Sequence, residues 1–156
     1  MRILQLISST NIGGSPIHTL LLCQELKKLG CYCLITSPPG GSFEPEIKIS
    51  GIDWIPLELS SPFSVSLYKQ LTDIIQTKQI DLIHTHELKA DFIGTMLALK
   101  TRLPLLTTIH NMINKGTLPG WKKSWYIWLT RLIAYRQNKI IIEQRETQPH
   151  ADRNCR

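Results

Sequence analysis

Two groups of residues in this sequence have the types and spacing that chemistry needs. The first is Ser8-Ser9-Thr10-Asn11-Ile12-Gly13-Gly14-Ser15-Pro16. Two glycines without side chains let backbone N–H groups come close to an anion, and a helix that starts there adds its positive end. Ser15 reads as the cap and Pro16 as a first-turn residue. Such a loop can cradle a phosphate, or it can be a plain tight turn. The Gly-x-Gly-x-x-Gly dinucleotide fingerprint is missing, the next strand ends in Thr36-Ser37 without a ribose-binding acid, and no Gly-Lys-Ser/Thr follows. The second group is a set of histidines in Asp81-Leu82-Ile83-His84-Thr85-His86 and Thr107-Thr108-Ile109-His110-Asn111. Three readings stand: a metal site, structural histidines, or polar histidines facing a substrate. No carboxylate or fourth ligand stands at a useful spacing, so no metal is expected and the substrate-facing reading is favoured.

Placing these residues calls for a particular architecture. Short apolar runs alternate with longer amphipathic ones, which predicts strands over Ile3–Ile7, Cys31–Thr36, Ile52–Ile55, Ile80–His84, Leu105–Ile109 and Asn138–Ile142. Between them, helices are predicted over Pro16–Leu29, Glu44–Ser50, Ser64–Lys78, Leu88–Thr101 and Trp121–Tyr135. Six alternations of this kind predict an α/β fold with a doubly wound parallel sheet, Rossmann-like in plan. Ligands of such sheets sit beyond the carboxyl ends of the strands, where both groups of residues fall. Gly13, Gly14, His86 and His110 are therefore expected to open onto one edge.

Composition excludes other classes. The chain has 156 residues, 42% of them hydrophobic, which suits one ordinary core. Its net charge of +6 is uneven: residues 1–100 carry 8 Lys and Arg against 9 Asp and Glu, and residues 101–156 carry 10 against 3. No helix-turn-helix, zinc-finger or RNA-binding signature accompanies that excess, so no nucleic acid partner is expected. The cysteines at 23, 31, 33 and 155 form neither a disulfide framework nor a zinc knuckle. The start lacks the marks of a signal peptide, and no apolar run reaches the roughly 18 residues that span a bilayer. A reduced, cytoplasmic chain is the expectation. Trp121, Trp125, Trp128 and Leu132 form one helical stripe flanked by Lys122, Lys123 and Arg131. Core packing is favoured for that stripe, and peripheral membrane contact is the alternative.

The order of these pieces resembles the amino-terminal domain of the retaining GT-B glycosyltransferases, the glycosyltransferase family 4-like and glycogen synthase-like superfamily. The matching residues are Arg2-Ile3-Leu4-Gln5-Leu6-Ile7, Asn11-Ile12-Gly13-Gly14 before His18-Thr19-Leu20, Gly51-Ile52, Asp81-Leu82-Ile83-His84-Thr85-His86, and Thr108-Ile109-His110-Asn111. The resemblance spans residues 1 to about 142 and implies the amino-terminal half of a GT-B fold. It further implies a hexose passed with retention from a nucleotide sugar to a glycan or lipid-linked acceptor. The nucleotide sugar is then the donor substrate, and no cofactor is needed. By the same resemblance Gly13-Gly14 approaches the donor diphosphate and His110 lies beside the transferred sugar. Asn11, His84, His86 and Asn111 belong to the acceptor side. Where the family usually has a small residue and Glu after the glycines, this sequence has Ser15-Pro16.

Residues 1–142 are read as the domain and residues 143–156 as an irregular tail. After Ile142 neither helical nor strand periodicity remains, which predicts a frameshift or early stop near the sixth strand. The family's second domain, with a Lys and a Glu-x7-Glu segment for the nucleotide sugar, is not in this sequence. The expectation is thus a chain that is inactive alone, or an acceptor- or membrane-binding module.

Overall fold

The computed structural model describes residues 1–59, 61–109 and the backbone of 141–142. Six parallel strands form one sheet in the order β3-β2-β1-β4-β5-β6. They are β1 (Arg2–Ile7), β2 (Tyr32–Ser37), β3 (Asp53–Pro56), β4 (Leu82–His86), β5 (Leu105–Ile109) and β6 (Ile141–Ile142). The helices are α1 (Gly14–Lys28), α2 (Phe43–Ser50), α3 (Val65–Thr77) and α4 (Leu88–Thr101). The direction of the strand order reverses between β1 and β4, and that reversal is the switch point where open α/β sheets hold their ligands.

The central strand shows why the sequence builds this sheet. Along β1 every residue from Ile3 to Ile7 is buried, as a parallel strand covered on both faces requires. Alternate residues feed two cores. Ile3 and Ile7 join Cys33, Ile35, Leu20, Cys23, Phe43 and Ile47 under α1 and α2. Leu4 and Leu6 join Leu34, Ile83, Leu105, Leu71, Ile93 and Leu97 under α3 and α4. Register puts Gln5 beside Ile35 of β2 and His84 of β4, while Ile7 pairs with His86.

Local chemistry sets the element ends. The Ser64 hydroxyl accepts from the Leu67 amide at 3.3 Å and so caps α3. Gly51, at φ +68°, stops α2 in the left-handed region that favours glycine. Bounds for α4 and β5 agree with the sequence reading. Two details differ. β4 is displaced by two residues, running Leu82–His86 instead of Ile80–His84, and its last residue pairs in the ladder with Ile7 of β1 and Thr108 of β5. The cap of α1 is Gly13, not Ser15: the helix begins at Gly14, and the Ser15 hydroxyl is buried without a hydrogen bond. The predicted Trp121–Tyr135 helix and the 143–156 tail lie outside the described residues. Of the expected Asn138–Ile142 strand, Ile141 and Ile142 are described, paired with Thr108 and Ile109.

Candidate functional site

At the carboxyl ends of β1, β2 and β4 three loops are tied together. The chain leaves β1 through Ser8, Ser9 and Thr10. Both serine hydroxyls donate to the Glu87 carboxylate, Ser8 at 2.6 Å and Ser9 to the other oxygen. Glu87 follows His86 directly and precedes α4, with φ +79° and ψ 148°. A non-glycine residue held there costs on the order of 1–3 kcal/mol, and the two serine bonds help to fix it. On the other side the Thr10 carbonyl accepts from the Phe43 amide at 3.0 Å. The Ile12 amide donates to Ser42 Oγ at 2.9 Å, and Asn11 Oδ1 accepts from the Ser42 amide at 3.3 Å. Gly41 is the close approach in this joint: at φ +71°, a Cβ there would meet the Thr10 carbonyl oxygen at 2.2 Å.

Gly13 and Gly14 sit at the open end of this pinned loop. Gly13 is extended, both glycines are exposed, and nothing lies within 4 Å of where a Gly14 Cβ would be. The first-turn amides of α1 have no partner within the helix, so the loop offers donors and a positive helix end to an anion. No acidic residue stands in that first turn.

The histidines behave differently. His84 and His86 lie on the α1 side of the sheet, 3% and 0% exposed, with ring centroids 4.2 Å apart. His86 Nε2 meets Gln5 Oε1 at 2.8 Å, and His84 Nε2 meets Thr108 Oγ1 at 2.8 Å. His18 of α1 brings a third imidazole to 6.1 Å from that of His86, edge to face. The rings of His84 and His86 thus form a buried, hydrogen-bonded polar layer on the α1 side of the sheet. Among the described residues, no group of three or more His, Cys, Asp or Glu could hold a metal ion. His110 and Asn111 lie outside the described residues.

The opposite face of β4 holds a group that sequence reasoning missed. Asp91 of α4 is 5% exposed, and burial pushes its carboxyl up to about 7. A hydrogen bond from Thr85 works against that rise, and the nearby Glu87 charge adds to it. Gly94, one turn along, lies so close to Thr85 that an added Cβ would meet its methyl at 2.2 Å. Glu87, Gln5 and Ser42 were also missed. Gln5 inside an apolar strand and Asp91 inside an apolar helix were signals, since buried polar groups need a partner or a reason.

The profile of Glycosyltransferase Family 4 matches residues 12–151. The chain belongs to that family. No curated protein matches it. Three solved structures illustrate how this family 4 chain compares in fold. The Anabaena protein Alr3699/HepE, crystallised with UDP-glucose, is 17% identical with a TM-score of 0.73 over 90% of this chain and 36% of its own. A glycosyltransferase from Rickettsia africae is 22% identical, TM-score 0.67, over 92% and 42%. MurG of Acinetobacter baumannii is 12% identical, TM-score 0.68, over 95% and 42%. At these identities the likeness is one of fold, that of the GT-B amino-terminal domain. The family 4 chain spans about two fifths of the length of these neighbours. Among the described residues no helix is long and apolar enough to cross a membrane.

Proposed function

We propose that residues 1–142 act as the acceptor-side domain of a glycosyltransferase that moves a hexose from a nucleotide sugar to a glycan or lipid-linked acceptor, with retention. One observation carries this reading: an exposed Gly13-Gly14 turn at the amino end of α1, pinned from both sides by Glu87 and Ser42, at the switch point of the sheet. A departing diphosphate needs fixed donors where its charge develops, and a preformed loop supplies them without reorganisation. The crystallised complex of Alr3699/HepE with UDP-glucose supports a nucleotide sugar as donor. Asn11 at the loop, with Asn111, would face the acceptor, and His84 and His86 would support that surface from below. His110 would stand beside the transferred sugar. The nucleotide itself would be held by a second domain of the kind that completes the neighbours.

The experiment is sugar transfer from labelled nucleotide sugars to glycan and lipid extracts, with the anomeric configuration of the product read by NMR. It is run with the purified chain alone and with a donor-binding domain supplied. The expected result is acceptor binding without turnover alone, and transfer that Gly14→Ala or His110→Ala abolishes once the second domain is present. Failure to bind any acceptor and failure to support transfer would together overturn the reading. Acceptor binding with no transfer in either arrangement would leave a binding module in its place.

A further inference from the structure

The Glu87 carboxylate stands where β4 hands over to α4, and neither element asks for it. At φ +79° and ψ 148° its backbone lies close to a region that is nearly reserved for glycine. Glu87 is also the residue before α4, yet its side chain makes no cap bond to the helix amides, so glycine would start this helix with less strain. The sequence keeps a long acid here. Its two oxygens are each engaged by one hydroxyl, Ser8 at 2.6 Å on one and Ser9 on the other. When ionised, a carboxylate offers about four lone-pair positions, so each oxygen keeps one after the serines are bound. The side chain is half-buried and belongs to the same strand edge as the exposed Gly13-Gly14 turn.

We propose that Glu87 receives the acceptor: its two oxygens take neighbouring hydroxyls of a neutral sugar, a vicinal diol, while Ser8 and Ser9 hold the carboxylate in place. This rests on the acceptor reading of the strand edge and adds the chemical class of the acceptor to it. A carboxylate can meet a cation, an anion or a neutral donor. A metal is poorly served, since among the described residues no group of three or more His, Cys, Asp or Glu could hold one. A sugar phosphate at this spot would meet like charge and be disfavoured. Neutral hydroxyls remain. Two oxygens in one plane match two hydroxyls on adjacent carbons, and bonds to an ionised acceptor are the stronger kind. Because the serines already fix the carboxylate, binding a diol requires no new ordering of that side chain.

The experiment is NMR titration of the full chain with methyl α-mannoside and methyl α-glucoside, each compared with its monodeoxy analogues. The expected result is shifts at the Ser8, Ser9 and Glu87 amides, with affinity about tenfold lower when either hydroxyl of one adjacent pair is missing. Glu87→Gln should weaken the parent glycoside about tenfold, and this variant should bind the deoxy analogues as well as the parent. That coupling marks direct contact, because a carboxylate that only steadied the loop would affect parent and analogues alike. If Glu87→Gln does not fold, the wild-type chain decides: its Glu87 carboxylate carbon resonance should move with the parent glycoside and stay in place with either deoxy analogue. Equal affinity for parent and analogues, a deoxy penalty that persists in Glu87→Gln, or binding confined to phosphorylated glycosides would overturn the proposal and leave the acceptor reading standing. Absence of any glycoside binding would also overturn it, and the transfer assay with glycan and lipid extracts would then show whether the acceptor reading falls with it.

Discussion

The glycine turn after β1 and the histidine pair at the end of β4 lie on adjacent strands at the same edge, yet they are opposite kinds of place. Gly13 and Gly14 are exposed and touch almost nothing, while their surroundings are held by bonds from two other loops. His84 and His86 are buried and make their bonds sideways, to Gln5 and Thr108. A residue type that can do chemistry is therefore a weaker guide than its depth relative to the last strand bond. The glycines are open to solvent, and the histidines are buried and hydrogen-bonded to neighbouring strands. If this contrast holds, changes around β4 should register as stability and changes at the turn as function.

The largest effect expected is on the buried side. Asp91 has a carboxyl displaced from 3.8 to about 7, which at about 1.4 kcal/mol per pH unit amounts to about 4 kcal/mol. The sign follows from which state holds the proton. Below about 4 both folded and unfolded chains are protonated and nothing is lost. As pH rises toward 7 the unfolded chain gives up its proton while the fold retains its own, so native stability falls, and above 7 the penalty is constant. Asp91→Asn should remove that slope and unfold later than wild type at pH 8, the difference between the two proteins isolating this group from the other carboxylates. Denaturant midpoints at pH 4, 6 and 8 measure it. Parallel curves for the two proteins would mean that the carboxyl is not held protonated in the fold.

Gly41→Ala comes next and strikes the joint rather than the turn. The new methyl would collide with a backbone carbonyl, at a φ that side chains avoid, so about 3 kcal/mol should be lost. Hydrogen exchange at the Ser42 and Phe43 amides should accelerate, since both bond to residues of the first loop. Unchanged exchange there would show that the pinning of the turn does not depend on the close packing at Gly41.

His86→Leu should cost about 2 kcal/mol, because it leaves the Gln5 side chain buried with no partner at either end. Thermal unfolding measures the loss. Within the transferase reading, acceptor and donor binding should persist in whatever fraction remains folded. Lost binding in a fully folded His86→Leu protein would break the contrast and return this histidine to the surface role first expected of it.

How far the sequence alone could see follows the same division. Elements whose pattern is self-contained were legible: α4 and β5 have the bounds their periodicity predicts, and the parallel α/β sheet follows from the alternation of strand and helix. Features made by residues far apart in the chain were not. Glu87 bonds to Ser8 and Ser9 across nearly eighty residues, and no local pattern announces it. The same holds for Gln5 with His86, a side-chain bond between β1 and β4 across 81 positions. Ser15 misled because serine is a favoured cap, whereas extended Gly13 two residues earlier starts the helix at no side-chain cost. The exposure of Gly13 and Gly14, by contrast, could be guessed from their place between a strand end and a helix start.

The smallest structural effect is also the sharpest test of that turn. Gly14 opens α1, its φ lies outside the left-handed region, and a Cβ there would meet nothing within 4 Å. Alanine is a better helix former than glycine, so Gly14→Ala should leave stability within about 0.5 kcal/mol of wild type, or slightly above it. A fold-only role for the turn predicts no other change. A phosphate-cradling role predicts a large one, because the methyl would stand where the anion has to approach the amides. Backbone NMR during titration with UDP-glucose, with the donor-binding domain supplied, separates the two: wild type should show shifts at the Gly13, Gly14 and Ser15 amides, and Gly14→Ala should lose them with its melting curve intact. If the variant binds and shifts like wild type, the turn is a structural connector, and the anion site must be sought among other loops at this edge.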